Sequence, residues 1–402
     1  MGITQSPPNM TRILYRWGLK AFMDQVSEKT GCLYLRNGSR EGLIGTINYD
    51  DELLQDQISE FRFLRTQTLE DKLQELVDNE AIRVIFGTVI NITTVPNMPA
   101  KVIVGEGSII NADFVICADG YDSAFKDFAD CEIEEGGPSW PNAHLVLAFA
   151  IPISAVREDE ALRSVFQSST QWNIWVGNGF VVHANVSDGG EFVRATMTAN
   201  YNRDIFLGDQ TWKVRRLEYW GIDFDLFEPR VKKLLSLAES VSSRVFMGRP
   251  VLNELVCVNS KIVLVGDAAH PILPGGNQHI ALAIEEAETL RCIFTRIQHR
   301  SQIPELLVAY EEIRLPRTSH IIKYERGMHL MMKIPNGPQQ EERDAKLKQV
   351  MAGDWDHMDE ELFRAIFGEE FQQYSHDATE EVEDWWTKWG PVISKRVLDR
   401  EC

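Results

Sequence analysis

The chain has 402 residues, with 41 Lys and Arg against 60 Asp and Glu, so its formal net charge is −19. Hydrophobic residues make up 44% and charged residues 25%, a globular composition that excludes disordered, collagen-like and disulfide-scaffold proteins. The acidic balance argues against nucleic acid and anionic membrane surfaces as partners, because both are bound through clustered Lys and Arg. A negatively charged ligand therefore needs a local basic patch.

Targeting and cysteine signals predict a soluble, intracellular, cytoplasmic protein. No signal peptide is recognisable, and no run of about 18 apolar residues predicts a membrane span. The six cysteines include no CxxC pair, which predicts reduced thiols and no metal site. MGITQS matches the myristoylation pattern at Gly2, but chance explains the match more simply because no polybasic second anchor follows. The sequence indicates no oligomeric state.

In chain order, the first part alternates between helical and strand-like segments. Residues 9–24 are amphipathic and predict a helix, residues 32–48 predict two short strands, and residues 66–79 predict another helix. The runs IRVIFG, VINITTV and KVIVG predict strands around the turn NMPA. ADFVICADG predicts a buried parallel strand that ends in a tight turn.

The middle and last parts differ in their pattern. Residues 143–200 contain AHLVLAFAI, WNIWVG, FVVHANV and FVRATMTA between Gly-rich turns, which predicts an antiparallel sheet. After a helical segment near 231–240, KIVLVGDAAH predicts a second buried strand and a sharp turn, and IALAIEEAETLRCIFTRIQ predicts a helix. From about residue 303 onward the pattern is helical and amphipathic.

The segment KIVLVGDAAHPILPGG has the features of a ligand site. Gly266 permits a tight turn, and Asp267 follows at the carboxyl end of the strand, where it can accept hydrogen bonds from ligand hydroxyls. Pro274 stiffens the loop, and the next helix N-terminus offers free N–H groups and partial positive charge. The segment suits an electron-rich carbonyl or an anionic ring, although a structural strand–loop–helix is an alternative.

Other polar residues are weaker candidates. FVICADGYDSAF places Asp119 and Gly120 at the carboxyl edge of a sheet, where ligands bind, although Asp-Gly is often only a turn. His183 is a candidate general base for a phenolic proton, with a structurally satisfied His as the simpler alternative. His270 and the cluster WWTKW are expected to pack.

ADFVICADGYDSAFK and IVLVGDAAHPILP together resemble the flavin-dependent aromatic hydroxylases, especially the fungal salicylate-hydroxylase-like monooxygenases. GITQSPPNMTRILYRWGL, FRFLRTQTLEDKL and YEEIRLPRTSHI also resemble family segments, and the likeness extends to about residue 344. The resemblance implies an α/β (mixed α+β) fold. A Rossmann-like FAD-binding domain would occupy 1–135 and 246–300, an inserted antiparallel β-sheet substrate domain 136–245, and a helical C-terminal region 301–402.

The resemblance also implies roles for individual residues. Arg65 would lie against FAD, and Asp267 would hydrogen-bond its ribityl chain. Asp119 and Gly120 would contact FAD and the path of the nicotinamide donor. The other positions implied to lie near the flavin are Gly2, Gly266, Pro274 and the backbone near Ile280.

The implied function is that of an FAD-dependent monooxygenase. NAD(P)H would reduce the flavin, and O2 would then allow hydroxylation or epoxidation of a small aromatic or unsaturated molecule, in secondary metabolism or aromatic catabolism. The flavin supplies the difficult chemistry, so few protein residues need be strictly catalytic. The mid-chain sheet would form one wall of the substrate pocket.

Two departures from the family keep alternatives open. The strand–GxGxxG–helix unit of about 30 residues that cradles the FAD pyrophosphate is missing from this sequence. A truncated gene, a deliberate fragment or loss of the ADP half of the site would each account for this.

The second departure is NQHIA in place of AQGAN, which puts His279 at a Gly position, where a side chain would crowd the flavin, and Ala281 at an Asn position. Lys126 stands where Arg is common. A non-redox cyclase or isomerase on the same fold and an inactive truncated homologue are therefore the alternative interpretations.

Overall fold

The structure, a computed structural model, describes residues 2–49, 59–78, 82–96, 98–125, 143–201, 210–257, 261–351 and 360–401. The helices of these residues are α1 (Pro8–Arg16), α2 (Lys20–Val26), α3 (Thr66–Asp78), α4 (Ile153–Glu158), α5 (Glu160–Arg163), α6 (Pro229–Leu237), α7 (Ala281–Phe294), α8 (Ile303–Met332), α9 (Pro338–Met351), α10 (Glu360–Ser375) and α11 (Ala378–Glu401). The strands are β1 (Ile3–Ser6), β2 (Glu28–Lys29), β3 (Cys32–Asn37), β4 (Leu43–Asn48), β5 (Arg62–Arg65), β6 (Val89–Thr93), β7 (Ala100–Val104), β8 (Ser108–Ala112), β9 (Val115–Cys117), β10 (Ala143–Pro152), β11 (Gln171–Gly177), β12 (Phe180–Ser187), β13 (Phe192–Asn200), β14 (Lys213–Arg215), β15 (Val241–Met247), β16 (Val256–Cys257) and β17 (Ile262–Leu264).

The largest sheet has eight strands in the order β14–β15–β10–β13–β12–β11–β3–β4. Strands β10, β13, β12 and β11 pair antiparallel, as the alternation over residues 143–200 predicts. The sheet also recruits β3, which pairs parallel with β11, and β4. The two strands predicted within residues 32–48 therefore exist, but they extend the mid-chain sheet rather than forming a separate hairpin.

The two faces of the large sheet have different environments. On β10, Leu145, Leu147 and Phe149 point into a core that α4 to α6 cover. Alternate side chains on the other face, such as Ala148 of β10 and Thr196 of β13, line a cavity. Burial of each large apolar side chain in this core contributes roughly 1.5–3 kcal/mol. The sheet is thereby anchored from behind while its front face stays available for a ligand.

A smaller sheet, β16–β17–β9, carries both sequence segments that resemble the family motifs. β17 pairs parallel with β9, and Ile262, Val263 and Leu264 are fully buried. The prediction of a buried strand is therefore confirmed for β17. It is wrong for β9, where Ile116 is 46% exposed because β9 is the edge of this sheet among the described residues.

Three local predictions are corrected. The helix expected over residues 9–24 is split into α1 and α2, since Gly18 adopts φ +81° and ends the first helix. IRVIFG at 82–87 forms no strand, and its Phe86 is 95% exposed. β8 was not predicted, although β7 and β8 form a regular antiparallel pair.

The helix α8 packs against the smaller sheet, in agreement with the amphipathic pattern after residue 303. Its side chains Leu306, Leu307 and Tyr310 are fully buried in the same cluster as the strand β17. None of the described helices is long and apolar enough to cross a membrane. Cys32, Cys117, Cys257 and Cys292 carry free thiols, whereas Cys131 and Cys402 lie outside the described residues.

Candidate active site

A cavity of about 470 Å³ lies between the front face of the large sheet and the loop that joins β17 to α7. Its volume falls within the range of small-molecule sites. Its lining residues are Gly2, Ile3, Thr4, Gln5, Phe63, Thr66, Gln67, Glu70, Tyr121, Ala148, Trp172, His183, Asn185, Arg194, Thr196, Trp212, Ser242, Arg244, Phe246, Asp267, Pro274, Gly275, Gly276, His279 and Ile280.

The loop between β17 and α7 forms one side of the cavity. Gly266 turns the chain at φ +59°, and Asp267 follows it into the cavity. Further along, Gly275 has φ +99°, a conformation that glycine adopts without steric cost. A Cβ on Gly276 would lie 2.9 Å from Oε2 of Glu325, so this position is also packed too tightly for a side chain. The local sequence thus fixes the path of the loop.

The side chains of Glu325 and Asn9 hold the loop between β17 and α7 in place. Oε1 of Glu325 accepts a hydrogen bond from the Gln278 backbone N–H at 3.1 Å. Asn9 of α1 donates to Oε1 of Gln278 at 2.9 Å. Burial is the main reason why the pKa of Glu325 rises to about 7. The loop is therefore attached to both α8 and α1.

Asp267 and His279 form a hydrogen-bonded pair in the cavity. Nε2 of His279 lies 3.2 Å from Oδ2 of Asp267, and the two side chains are 26% and 28% exposed. Burial opposes both charges, but the pair outweighs it, so that the pKa of His279 is raised and that of Asp267 is lowered. Both shifts favour the ionic form of the pair, which occupies the point where the sequence predicts only a carboxylate.

His270 has a structural role, as the sequence suggests. Its Nε2 lies 2.7 Å from Oε1 of buried Glu286, whose Oε2 accepts the Gly266 N–H at 2.7 Å. This arrangement links the turn after β17 to α7. It fixes the backbone that presents Asp267 to the cavity.

The sheet side of the cavity carries two arginines. Arg194 donates to Asp188 at 2.8 Å, and Arg244 donates to Asp122 at 2.8 Å. The guanidinium of Arg244 also lies 4.7 Å from the ring centroid of Tyr121. Both guanidiniums line the cavity, but each is paired with a carboxylate, so their positive charge there is partly compensated.

His183 of β12 lies on the side of the cavity that the large sheet forms. Its ring stacks on Trp172 with the centroids 5.7 Å apart, and Gly275 lies against its edge. Burial lowers the pKa of His183 to about 4, so the ring is neutral at physiological pH. Its Nδ1 is buried and has no hydrogen-bond partner among the described residues. A neutral imidazole can accept a hydrogen bond from a ligand hydroxyl.

The structure separates the residues that the sequence singles out into two groups. Those that line the cavity are Gly2, His183, Asp267, Pro274 and Ile280. Those outside its lining are Arg65, Asp119, Gly120 and Gly266. Of these, Arg65 and Asp119 are exposed, whereas Gly266 is buried next to Asp267. Lys126 lies outside the described residues.

Sequence reasoning missed several residues of the site. Arg194, Arg244 and Trp172 reach the cavity from three different strands of the large sheet. Their positions follow the alternation of each strand, but the sequence does not reveal which strand face meets the loop. Glu325 was also missed, because a glutamate within a long amphipathic helix carries no signal of burial. The cluster WWTKW packs away from the cavity, where Trp385 donates to Glu312 at 3.0 Å.

Comparison with known proteins shows which sequences and folds this chain is similar to. No family model matches the chain. It is 25% identical over 345 residues to the FAD-dependent monooxygenase OpS4 of Beauveria bassiana, and the match covers 85% of this chain and 78% of that protein. It is 25% identical over 244 residues to 3-amino-4-hydroxybenzoate 2-monooxygenase of Streptomyces cremeus, but spans only 56% of that relative.

Solved structures show the same fold at lower identity. Salicylate hydroxylase in a substrate complex superposes with a TM-score of 0.74 at 18% identity, covering 95% of this chain and 90% of that one. CtdE in complex with FAD and a substrate superposes with a TM-score of 0.74 at 16% identity, covering 98% and 90%. The mixed α/β architecture expected from the sequence is thereby confirmed.

Proposed function

We propose that this chain is a flavin-dependent monooxygenase of the FAD-dependent aromatic hydroxylase family, and that it uses NAD(P)H and O2 to hydroxylate or epoxidise a small aromatic or unsaturated molecule. One observation carries the proposal. Asp267 and the N-terminus of α7 face the same cavity as the polar front of the large sheet. A cofactor on one side and a substrate on the other would thus meet in one cavity.

The residues present fit the flavin end of FAD. Oδ1 of Asp267 accepts no hydrogen bond from any described residue, so it can accept one from a ribityl hydroxyl. Ile280, the N-cap of α7, provides no side-chain cap, which leaves backbone N–H groups at the start of the helix for an electron-rich ring edge. Arg65, Asp119 and Gly120 lie outside the cavity, and we propose them only as contacts toward the rest of the cofactor.

Bound FAD supplies the transfer of an oxygen atom from O2 to the substrate after reduction by NAD(P)H. The chain's own residues hold and orient the reactants. Asp267 fixes the ribityl chain, and the glycines at 275 and 276 allow close backbone approach. The aromatic rings of Trp172 and Phe246 give a flat substrate an apolar surface that excludes water.

His183 is the candidate hydrogen-bond acceptor for a hydroxyl group of the substrate. Its ring is neutral and lines the cavity, so it can accept a hydrogen bond from a phenolic hydroxyl, which orients the substrate and leaves the aromatic ring more electron-rich. Arg194 and Arg244 then stabilise negative charge on the substrate. These side chains best suit an electron-rich aromatic substrate that carries an ionisable hydroxyl.

The test is substrate-stimulated NAD(P)H oxidation by the FAD-loaded chain with a panel of phenols and aromatic acids. Isotopically labelled O2 should place one labelled oxygen atom in the product. His183→Asn should lower kcat and remove an ionisation from the pH profile, whereas His299→Asn, which removes an exposed imidazole bonded to Ser301, should change neither. NAD(P)H oxidation that no substrate accelerates would contradict the proposal.

The pair Asp267–His279 favours a second candidate function, a non-redox cyclase or isomerase. An imidazole oriented by a carboxylate is a general acid–base arrangement, and it lies inside the cavity. Under this alternative, a colourless, folded chain would convert a substrate without FAD. Loss of all turnover on removal of FAD would rule it out.

A further inference from the structure

We propose that His279, held by Asp267, places a positive charge at the N-terminus of α7 and so stabilises the anionic reduced form of a flavin in the cavity. This inference rests on the proposed function. His279 would act as a positioning and charge-bearing residue at a point where the family resemblance implies a glycine.

Geometry supports the placement. His279 is adjacent to Ile280, the N-cap of α7, and its imidazole lines the cavity while bonding Asp267 at 3.2 Å. The side chain is thus turned toward the Asp267 carboxylate. A ring that lies over this helix end meets both the partial charge of the helix and the charge of the imidazole.

The hydrogen-bonded carboxylate of Asp267 favours the protonated form of the imidazole. Asp267 is its bonded partner, and Glu325 lies beneath the loop, so that the pKa of His279 is raised despite burial. The other nearby ionisable groups already have partners: Arg244 is bonded to Asp122, and His270 to Glu286. His183, across the cavity, is neutral because of its burial.

The sign of the effect follows from charge balance. Reduction adds two electrons and one proton to the oxidised ring, so the reduced ring carries one negative charge. With His279 protonated, the Asp267 charge is compensated. Removing the imidazole leaves the Asp267 carboxylate unopposed and destabilises the reduced ring. If the preference for reduced over oxidised flavin falls about tenfold, the midpoint potential becomes about 30 mV more negative.

The experiment is a reductive titration of the FAD-loaded chain with dithionite and a reference dye at pH 7. His279→Asn and His279→Gly should each shift the midpoint potential by about −30 mV. His299→Asn is the control, because it removes an exposed imidazole that is bonded to Ser301 and lies outside the cavity lining, and its potential should not change. In the double variant Asp267→Asn/His279→Asn, both charges are gone, and the potential should return toward that of the wild type.

The outcomes are distinguishable. If wild type and variants bind FAD with equal potentials, the inference is wrong and the proposed function stands. A potential that stays low in the double variant would show a steric effect and also overturn the inference. If the folded wild type binds no FAD, both the proposed function and the inference fail.

Discussion

The buried carboxylate of Glu285 joins the start of α7 to the surrounding helices. It accepts hydrogen bonds from Asn9 at 2.7 Å, Arg314 at 2.7 Å and Arg317 at 3.0 Å. The side chains of Glu285 and Arg314 are fully buried, and that of Arg317 is 7% exposed. We predict that Glu285→Ala lowers the free energy of unfolding by about 3–5 kcal/mol, because two buried guanidiniums lose their counter-charge.

Glu288→Ala provides the matched comparison on the same helix. Glu288 is also fully buried, but its ion-pair partner Arg291 is 53% exposed, and its other donors, Trp17 and Thr379, are uncharged. Water can therefore solvate the guanidinium that this substitution releases, and the expected loss is about 1–2 kcal/mol. Urea unfolding followed by circular dichroism at pH 7 measures both. Equal losses in the two variants would refute the argument that burial of the partners sets the magnitude.

The pH dependence of this network has a defined sign. Burial opposes ionisation of Glu285, but Arg317, His376 and Arg314 outweigh it and hold its pKa far below the ordinary range. Its contribution is therefore fully present above about pH 4.5 and is lost as the pH falls toward the native pKa. The stability difference between wild type and Glu285→Gln should shrink over that acidic range. A stability difference between the two proteins that does not change with pH would contradict the lowered pKa of Glu285.

Three further perturbations test the loop beside the cavity and the core behind the large sheet. Burial raises the pKa of Glu325 to about 7, so ionisation of this carboxyl lowers the stability of the folded chain as the pH rises from about 4.5 to 7. In urea unfolding at pH 8, Glu325→Gln should therefore be more stable than wild type by up to about 3 kcal/mol. At pH 4 the two should be equally stable. Gly275→Ala should lose about 1–3 kcal/mol in thermal unfolding because φ is +99° there, while Gly42→Ala, at a glycine without positive φ or close neighbours, should lose less than about 1 kcal/mol. Trp175→Phe should lose about 1–3 kcal/mol because it removes the 2.6 Å hydrogen bond to the buried Glu228 carboxylate, and an unchanged urea midpoint would contradict this.

Much of the fold could be predicted because it depends on local pattern. The strands of the mid-chain sheet alternate regularly, and the helix Ala281–Phe294 follows a sharp Gly turn. The parallel pairing of β3 with β11 could not be predicted, because it joins segments that are far apart in the sequence. The strand expected at 82–87 failed because apolar alternation does not supply a partner strand. The domain boundaries stay a prediction.

The residues of the candidate site likewise divide into those that the sequence could predict and those that it could not. Asp267, Pro274 and Ile280 could be identified because a short contiguous motif carries them. Arg194 and Arg244 could not, since only tertiary packing decides which face of a strand meets the loop. The pairing of His279 with Asp267 depends on the loop path that the glycine at 275 and the glutamate at 325 impose. The sequence shows that His279 stands at a glycine position of the family motif, but it does not show that the side chain points toward Asp267.

The most direct test of the account is a fluorescence titration of the purified chain with FAD. The wild type should bind FAD, and Asp267→Ala should weaken binding about ten- to hundredfold, because a hydrogen bond to a charged acceptor is lost. Asp225→Ala, at a side chain that is 94% exposed, should bind like the wild type. A folded wild-type chain that binds no FAD, or an Asp267→Ala variant that binds as tightly as the wild type, would contradict the claim that this cavity holds the flavin.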